Sequence, residues 1–126
     1  MNINIHKPEK SIAEYLKVLG SPIRIKILFS LGYGEACVCH LETKLNRRQA
    51  YISQHLMVLR DAGILDTRRD GKYIYYRAAD PAIFDLIRSA AQILGIAEDD
   101  LPELSDSVKL AQCECPNCQP TTEQTG

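Results

Sequence analysis

The residues of this chain best suited to chemistry are its five cysteines, which fall into two clusters, Cys37-Val38-Cys39 and Cys113-Glu114-Cys115-Pro116-Asn117-Cys118. An odd number of thiols, three of them within six residues, does not describe a disulfide framework; it describes soft-metal ligands or redox thiols. Cys37 and Cys39 are two positions apart. On an α-helix that spacing turns the sulfurs about 200° from each other, whereas in an extended segment both point to one side. A shared ion therefore requires the pair to lie at an irregular or extended start of a helix, which Gly34 permits, and a helix N-terminus favours the ligating thiolate. The plainer alternative is two small buried hydrophobes. Two sulfurs alone hold an ion poorly, so the tail is the obvious donor of the remainder, from the same chain or from a second subunit. Its Cys-Pro-Asn-Cys half is like a metal knuckle, with Pro116 setting a tight turn. Three thiolates suit As(III), Sb(III) or Pb(II), and four suit Cd(II) or Zn(II). The tail could also hold a trigonal ion by itself, or act only as a flexible scavenging segment. His40 beside Cys39 is a possible fourth ligand, although an exposed histidine in the first helical turn is the preferred reading. A redox switch is the rival chemistry: Cys37 or Cys39 joined to a tail cysteine as a disulfide, or carried as a persulfide.

The elements that must position these thiols follow from periodicity. Ile12, Tyr15, Leu16 and Leu19 form the apolar stripe of a helix over Ser11–Leu19, closed by Gly20. Ser21 as N-cap and Pro22 at the first helical position open a second helix, with Ile23, Ile27, Leu28 and Leu31 inward. A short piece from Ala36 to Leu45 turns Val38, Leu41 and Leu45 inward. After Asn46 a longer helix runs to Ala62, burying Ile52, Leu56 and Leu59, and Gly63 stops it. Ile64–Arg69 and Lys72–Ala78 flank Asp70-Gly71, a pair that predicts a hairpin with a type I′ turn. Asp80-Pro81 opens a last helix, with Ile83, Phe84, Ile87, Ala91 and Leu94 on one side and Gly95 at its end. The order predicts a mainly α, α+β winged helix-turn-helix fold of five helices with a two-stranded β wing. Residues 1–97 are expected to form this DNA-binding domain and residues 98–126 an acidic cysteine-containing tail, with disorder expected after about Gln119.

Charge is distributed to match. The net charge is only −1, yet between Lys44 and Arg77 eight basic residues face three acids, while from Glu98 onward seven acids face one lysine. A polyanion responds to the local field, so the basic middle suits nucleic acid. No apolar run is long enough to span a bilayer. The polar stretch from Met1 to Lys10 has no apolar signal core, so the expected compartment is the cytoplasm, with no membrane partner. An enzyme is not expected: paired carboxylates, a Ser-His-Asp order and a phosphate-binding glycine loop are all missing, and Asp99-Asp100 is an acidic cap or solvated run.

Four segments together resemble the ArsR/SmtB metal-sensing repressors, over Leu16 to about Leu94. L-K-V-L-G-S-P-I-R-I-K-I-L is similar to the family's second-helix opening, and Q-A-Y-I-S-Q-H-L-M-V-L-R-D-A-G-I-L to its recognition helix. R-R-D-G-K-Y-I-Y-Y-R is similar to its wing, and E-A-C-V-C-H-L to the thiolate-sensor segment. The resemblance implies a homodimer, joined through its first and last helices, that reads a palindromic operator in double-stranded DNA and loses affinity when metal binds. The effector it implies is As(III) or Sb(III), with Cd(II), Pb(II) or Zn(II) as alternatives, held by Cys37, Cys39, Cys113, Cys115 and Cys118. Groove-reading chemistry agrees: Gln49, Tyr51, Ser53, Gln54 and His55 offer polar groups to base edges. Arg47 and Arg48 suit phosphate or guanine, and Arg68, Arg69, Lys72 and Tyr73 of the wing suit the adjacent backbone. For Tyr51 and His55 a structural role weighs equally.

The chain departs from the family pattern in places. Arg48 stands where the family has a capping serine, so Asn46 is expected to cap the recognition helix, and Glu42 stands where arsenic-responsive relatives carry a third cysteine. The family's Asp/His site on the last helix is not expected either. Asp80 is there, but His6, His40 and His55 all lie elsewhere. Ligand capture would pull on the short helix that supports the recognition helix. A constitutive DNA-binding module with structural zinc is the remaining rival.

Overall fold

The computed structural model describes residues 7–104 of the chain. Helix α1 spans Pro8–Leu19 and α2 spans Pro22–Leu31, each with proline in its first turn, where the missing N–H would have no helical partner. α1 starts three residues ahead of the expected Ser11, because Pro8 sets it. Ser21 precedes α2 in extended geometry but contributes its backbone carbonyl, which accepts from Ile25 N–H, and makes no side-chain cap. Strand β1 is the two residues Ala36–Cys37, followed directly by α3, Val38–Leu45. Helix α4 spans Gln49–Asp61, strands β2 and β3 span Leu65–Asp70 and Tyr73–Ala78, and α5 spans Ala82–Ile93. A single 3-10 turn, Glu98–Asp100, follows. No helix among the described residues is long and apolar enough to cross a membrane.

The expected order of helices and hairpin is therefore observed, with one added element. The two-stranded wing β2-β3 is present as expected, and β1 joins the other edge of β3 to give a sheet of three antiparallel strands in the order β1-β3-β2. Ala36 pairs with Tyr76 and Cys37 with Tyr75, which ties the cysteine segment to the central strand. A two-residue bridge leaves too short an alternation to be read from sequence.

The wing turn also differs from expectation. Asp70 pairs with Tyr73, so Gly71 and Lys72 are the central residues, and only Gly71 has positive φ, at 62°. That is the pattern of a type II′ turn, where glycine takes the first central position. At the end of α4, Gly63 (φ 78°) donates to the Arg60 carbonyl while Ile64 N–H donates to Leu59, satisfying the last turn.

The core lies where α2, α3, α4, α5 and the inner face of the sheet meet. Ile27, Leu28, Leu41, Ile52, Leu56 and Leu59 are fully buried there, with Tyr76 and Phe84 beside them. Leu104 packs against this cluster, and Arg88 of α5 lies 3.5 Å from the Glu98 carboxylate, so residues just past the last helix fold back on it. Leu94, expected on the buried side of α5, is instead 74% exposed, and Ile93 is 86% exposed. On α1, Ile12 is 58% exposed. The last turn of α5 and the outer stripe of α1 extend beyond what this chain's core can cover.

Candidate thiol site and nucleic-acid face

Cys37 ends β1 in extended geometry (φ −86°, ψ 169°) and is at the same time the N-cap of α3. Cys39 is the second residue of that helix. The change from strand to helix between them cancels the divergence of about 200° that a continuous helix would impose, and their Sγ atoms lie 2.7 Å apart. The extended helix start required by the spacing is thus present. Cys37 is buried and Cys39 half-buried, and the Cys37 sulfur accepts from His40 N–H at 3.4 Å. The sulfur thereby satisfies an otherwise unpaired N–H of the first helical turn.

The pair opens into a cleft of about 410 Å³. Val38 and Glu42 of α3 line it beside the cysteines, Gln49 and Ser53 of α4 form a second wall, and Lys72, Tyr73, Ile74 and Tyr76 form a third. Thiols, two polar residues of α4 and the wing thus border one volume. Sequence reasoning did not find this convergence; the available signal was the Ala36-Cys37 strand dipeptide, too short to register. Among the described residues no group of three or more His, Cys, Asp or Glu converges. Cys113, Cys115 and Cys118 lie outside the described residues. The donor set of Cys37 and Cys39 suits one edge of a thiophilic ion's shell.

His40 is not the exposed first-turn histidine expected. It is 4% exposed, and burial, reinforced by Lys44, pushes its pKa below the ordinary histidine value. Pairing of β1 with β3 fixes the rotation of α3 so that positions 40 and 41 both face inward.

Helix α4 buries Ile52, Leu56 and Leu59 and leaves Gln49, Tyr51 and Gln54 exposed, with Ser53 and His55 half-buried. Asn46 does not cap this helix. It adopts the left-handed conformation (φ 53°, ψ 50°) as the C-cap of α3, and Arg48 occupies the N-cap of α4 without a side-chain cap bond. Asparagine tolerates that backbone region better than other non-glycine residues, so the two-helix turn uses it there. The Arg47 guanidinium lies 5.7 Å from the Tyr51 ring centre, and Tyr51 meets His55 edge-on at 4.8 Å. His55 Nδ1 accepts from Arg24 Nε at 3.0 Å, and Arg24 Nη1 donates to the Val18 carbonyl at 2.9 Å. His55 therefore fastens α4 to α2.

Burial, and then the Arg24 charge, lower the His55 pKa. A histidine with a depressed native pKa takes up its proton more readily when unfolded, so its stabilising bond is fully present above about pH 6.5 and is lost as pH falls below that. Denaturant midpoints compared between about pH 7.5 and about pH 5, either side of that value, are expected to fall less in His55→Gln than in the parent chain. Equal pH sensitivity in both would assign the loss to other groups.

On the wing, Arg69 and Lys72 are exposed, with the Lys72 ammonium 5.5 Å from the Tyr73 ring centre. Arg68 is engaged within the fold: its Nε and Nη2 both donate to the Glu35 carboxylate, and its guanidinium lies over the Tyr75 ring, 4.6 Å from the centre. Asp80, considered for a last-helix metal site, accepts from Ala82 N–H at 2.9 Å and so serves the start of α5.

Comparison with known proteins is consistent with this architecture. The family described as bacterial regulatory protein, arsR family, matches residues 21–67. The biofilm growth-associated repressor of Agrobacterium fabrum is 41% identical over 97 residues, which covers 77% of this chain and 83% of that protein. Among solved structures, NolR from Sinorhizobium fredii superposes with a TM-score of 0.65 at 31% identity, covering 77% of this chain and 97% of that one. The AntR antimony-specific transcriptional repressor does so with a TM-score of 0.62 at 26% identity, covering 70% and 80%.

Proposed function

From the premise that this chain belongs to the arsR family of bacterial regulatory proteins and is a transcriptional repressor, we propose that Cys37 and Cys39 sense a thiophilic ion and thereby release operator DNA. The observation that carries this reading is the 410 Å³ cleft, in which the two sulfurs face Gln49 and Ser53 of α4 and Lys72 and Tyr73 of the wing. An occupant coordinated by the thiols must share that space with both DNA-facing elements. As(III) or Sb(III) is the best-matched effector, since a trigonal soft ion needs only one sulfur beyond the pair; Cd(II), Pb(II) and Zn(II) need the same donors or more. The remaining ligands are assigned to Cys113, Cys115 and Cys118. The likeness to an antimony-specific repressor supports the choice of ion.

The protein acts in the cytoplasm as a homodimer on a palindromic site in double-stranded DNA. Support for pairing through the first and last helices comes from the exposed Ile12 and Leu16 of α1 and the exposed Leu86, Ile93 and Leu94 at α5. Apolar surface of that extent on two elements of one small domain calls for a partner. Base edges are read by Gln49, Tyr51, Ser53 and Gln54, and phosphates are held by Arg47, Arg48, Arg69 and Lys72. Regulation, not catalysis, is the activity.

Operator-binding anisotropy, titrated with arsenite, antimonyl tartrate, Cd(II), Pb(II) and Zn(II), tests the reading. At least one ion is expected to weaken binding about a hundredfold, equivalent to roughly 2.7 kcal/mol of coupling. Unchanged affinity with every ion defeats it. In the same assay Arg69→Ala/Lys72→Ala is expected to weaken operator binding about tenfold. It should also flatten the salt dependence by about 1.8 log units per log unit, or ~0.9 for each phosphate left without its cation. An unaltered slope removes the wing from the phosphate-binding surface.

A second reading is favoured by the approach of the two sulfurs to 2.7 Å. A two-electron oxidant such as peroxide would convert them to a disulfide, the thiols giving up two protons and two electrons as peroxide becomes water. Peroxide-induced release that persists in the presence of a chelator supports this reading over ion sensing.

A further inference from the structure

We propose that Glu35 and Arg68 form the link through which events at Cys37 and Cys39 reach the wing, so that Arg68 is a positioning residue and not a phosphate anchor. The inference rests on the sensor reading above and adds to it a route for the coupling.

Three observations combine. The first is registry. Cys37 pairs with Tyr75 across β1 and β3, and Tyr75 pairs with Arg68 across β3 and β2. Directly paired residues in an antiparallel sheet place their side chains on the same face. Cys37, Tyr75 and Arg68 therefore form one rung across the entire sheet, from thiol to wing. The second is packing along that rung. Tyr75 is fully buried and packs with Cys37, while the Arg68 guanidinium lies over the Tyr75 ring, 4.6 Å from its centre. The third is closure. The Arg68 fork returns to Glu35, two residues ahead of Cys37, with Nε and Nη2 each donating to one carboxylate oxygen. A bidentate fork fixes orientation as well as distance. Asp70 Oδ2 stands 4.0 Å from Arg68 Nη1, so two carboxylates border this guanidinium.

Arg69, the next residue, pairs with Ile74 and lies on the opposite face of the ladder. Adjacent arginines of one strand thus divide two tasks: Arg69, exposed near the wing turn, is left to DNA, and Arg68 bolts the strand to the thiol segment. An exposed ion pair of this kind contributes little to folding stability. Its geometric consequence is larger. Any shift of Ala36–Cys37 that accompanies ligand capture must displace Glu35, and the fork transmits that displacement to β2.

Coupling has to be measured as coupling, by the ratio of operator dissociation constants with and without effector. The probe is arsenite or antimonyl tartrate, whichever gives the larger ratio in the parent chain, with ion binding followed separately by its thiolate absorption. Glu35→Gln keeps the shape of the side chain and removes its charge; Arg68→Lys keeps the charge and removes the fork. Both variants are expected to bind the ion with parent affinity while the ratio falls from about a hundredfold to below about tenfold. Arg69→Gln is expected to weaken ion-free binding and keep the ratio. The proposal is overturned if Glu35→Gln and Arg68→Lys take up the ion and retain the full ratio. It is equally overturned if Arg68→Lys weakens ion-free binding and lowers the salt slope as removal of a phosphate anchor would, while coupling is intact. A parent chain that shows no ratio at all overturns the sensor reading itself, a result distinguishable from either.

Discussion

Cys37→Ser/Cys39→Ser is expected to bind operator as tightly as the parent chain and to stay bound when the effector is added. The parent's release of about a hundredfold, roughly 2.7 kcal/mol, should fall to nothing measurable. Serine keeps nearly the same volume at both positions, and its hydroxyl can accept the His40 N–H that the Cys37 sulfur accepts now. The start of α3 and the pairing of β1 with β3 are therefore retained, and ion-free DNA binding with them. Serine oxygen is a poor ligand for soft ions, so the response alone is removed. Anisotropy with and without effector reads both quantities in one titration. A double variant that still releases DNA would place the sensing sulfurs elsewhere, in Cys113, Cys115 and Cys118.

The second large effect is on the scaffold. Leu56 is fully buried on α4, between Ile52 and Leu59, where this helix meets the core. Leu56→Ala is expected to cost about 2–5 kcal/mol, the lost transfer energy plus the cavity left behind. Typical small domains have only about 5–15 kcal/mol of total stability, so a large share disappears. Denaturant unfolding at fixed protein concentration should show a much lower midpoint with an unchanged slope. Operator affinity should fall as well, because α4 is deprived of the packing that fixes its pitch. A change below about 1 kcal/mol would mean that the core collapses around the cavity, and that Leu56 does not anchor α4.

Much of this molecule is legible in its sequence, for reasons that can be named residue by residue. Pro22, Gly63 and Gly71 mark boundaries through backbone constraints that act locally, and they lie where helices and turn begin or end. The inward stripes of α2 and α4 repeat at helical spacing and are buried as read. Errors occur where a local signal competes with a tertiary one. Asn46 has the chemistry to cap either of two helices, and it serves the one behind it. Leu94 continues an apolar stripe past the point where the chain has core to cover it. His40 is polar and adjacent to Cys39, yet the pairing of β1 turns it inward.

The thiol site divides along the same line. Sequence spacing alone stated the condition for a shared ion, an extended residue leading into a helix, because the directions of side chains two apart depend only on backbone dihedrals. Which volume those sulfurs share, and that Arg68 returns to Glu35, depended on strand pairing between positions far apart in the chain. Residue type and period are properties of a segment; the rung from Cys37 through Tyr75 to Arg68 exists only once three segments have met.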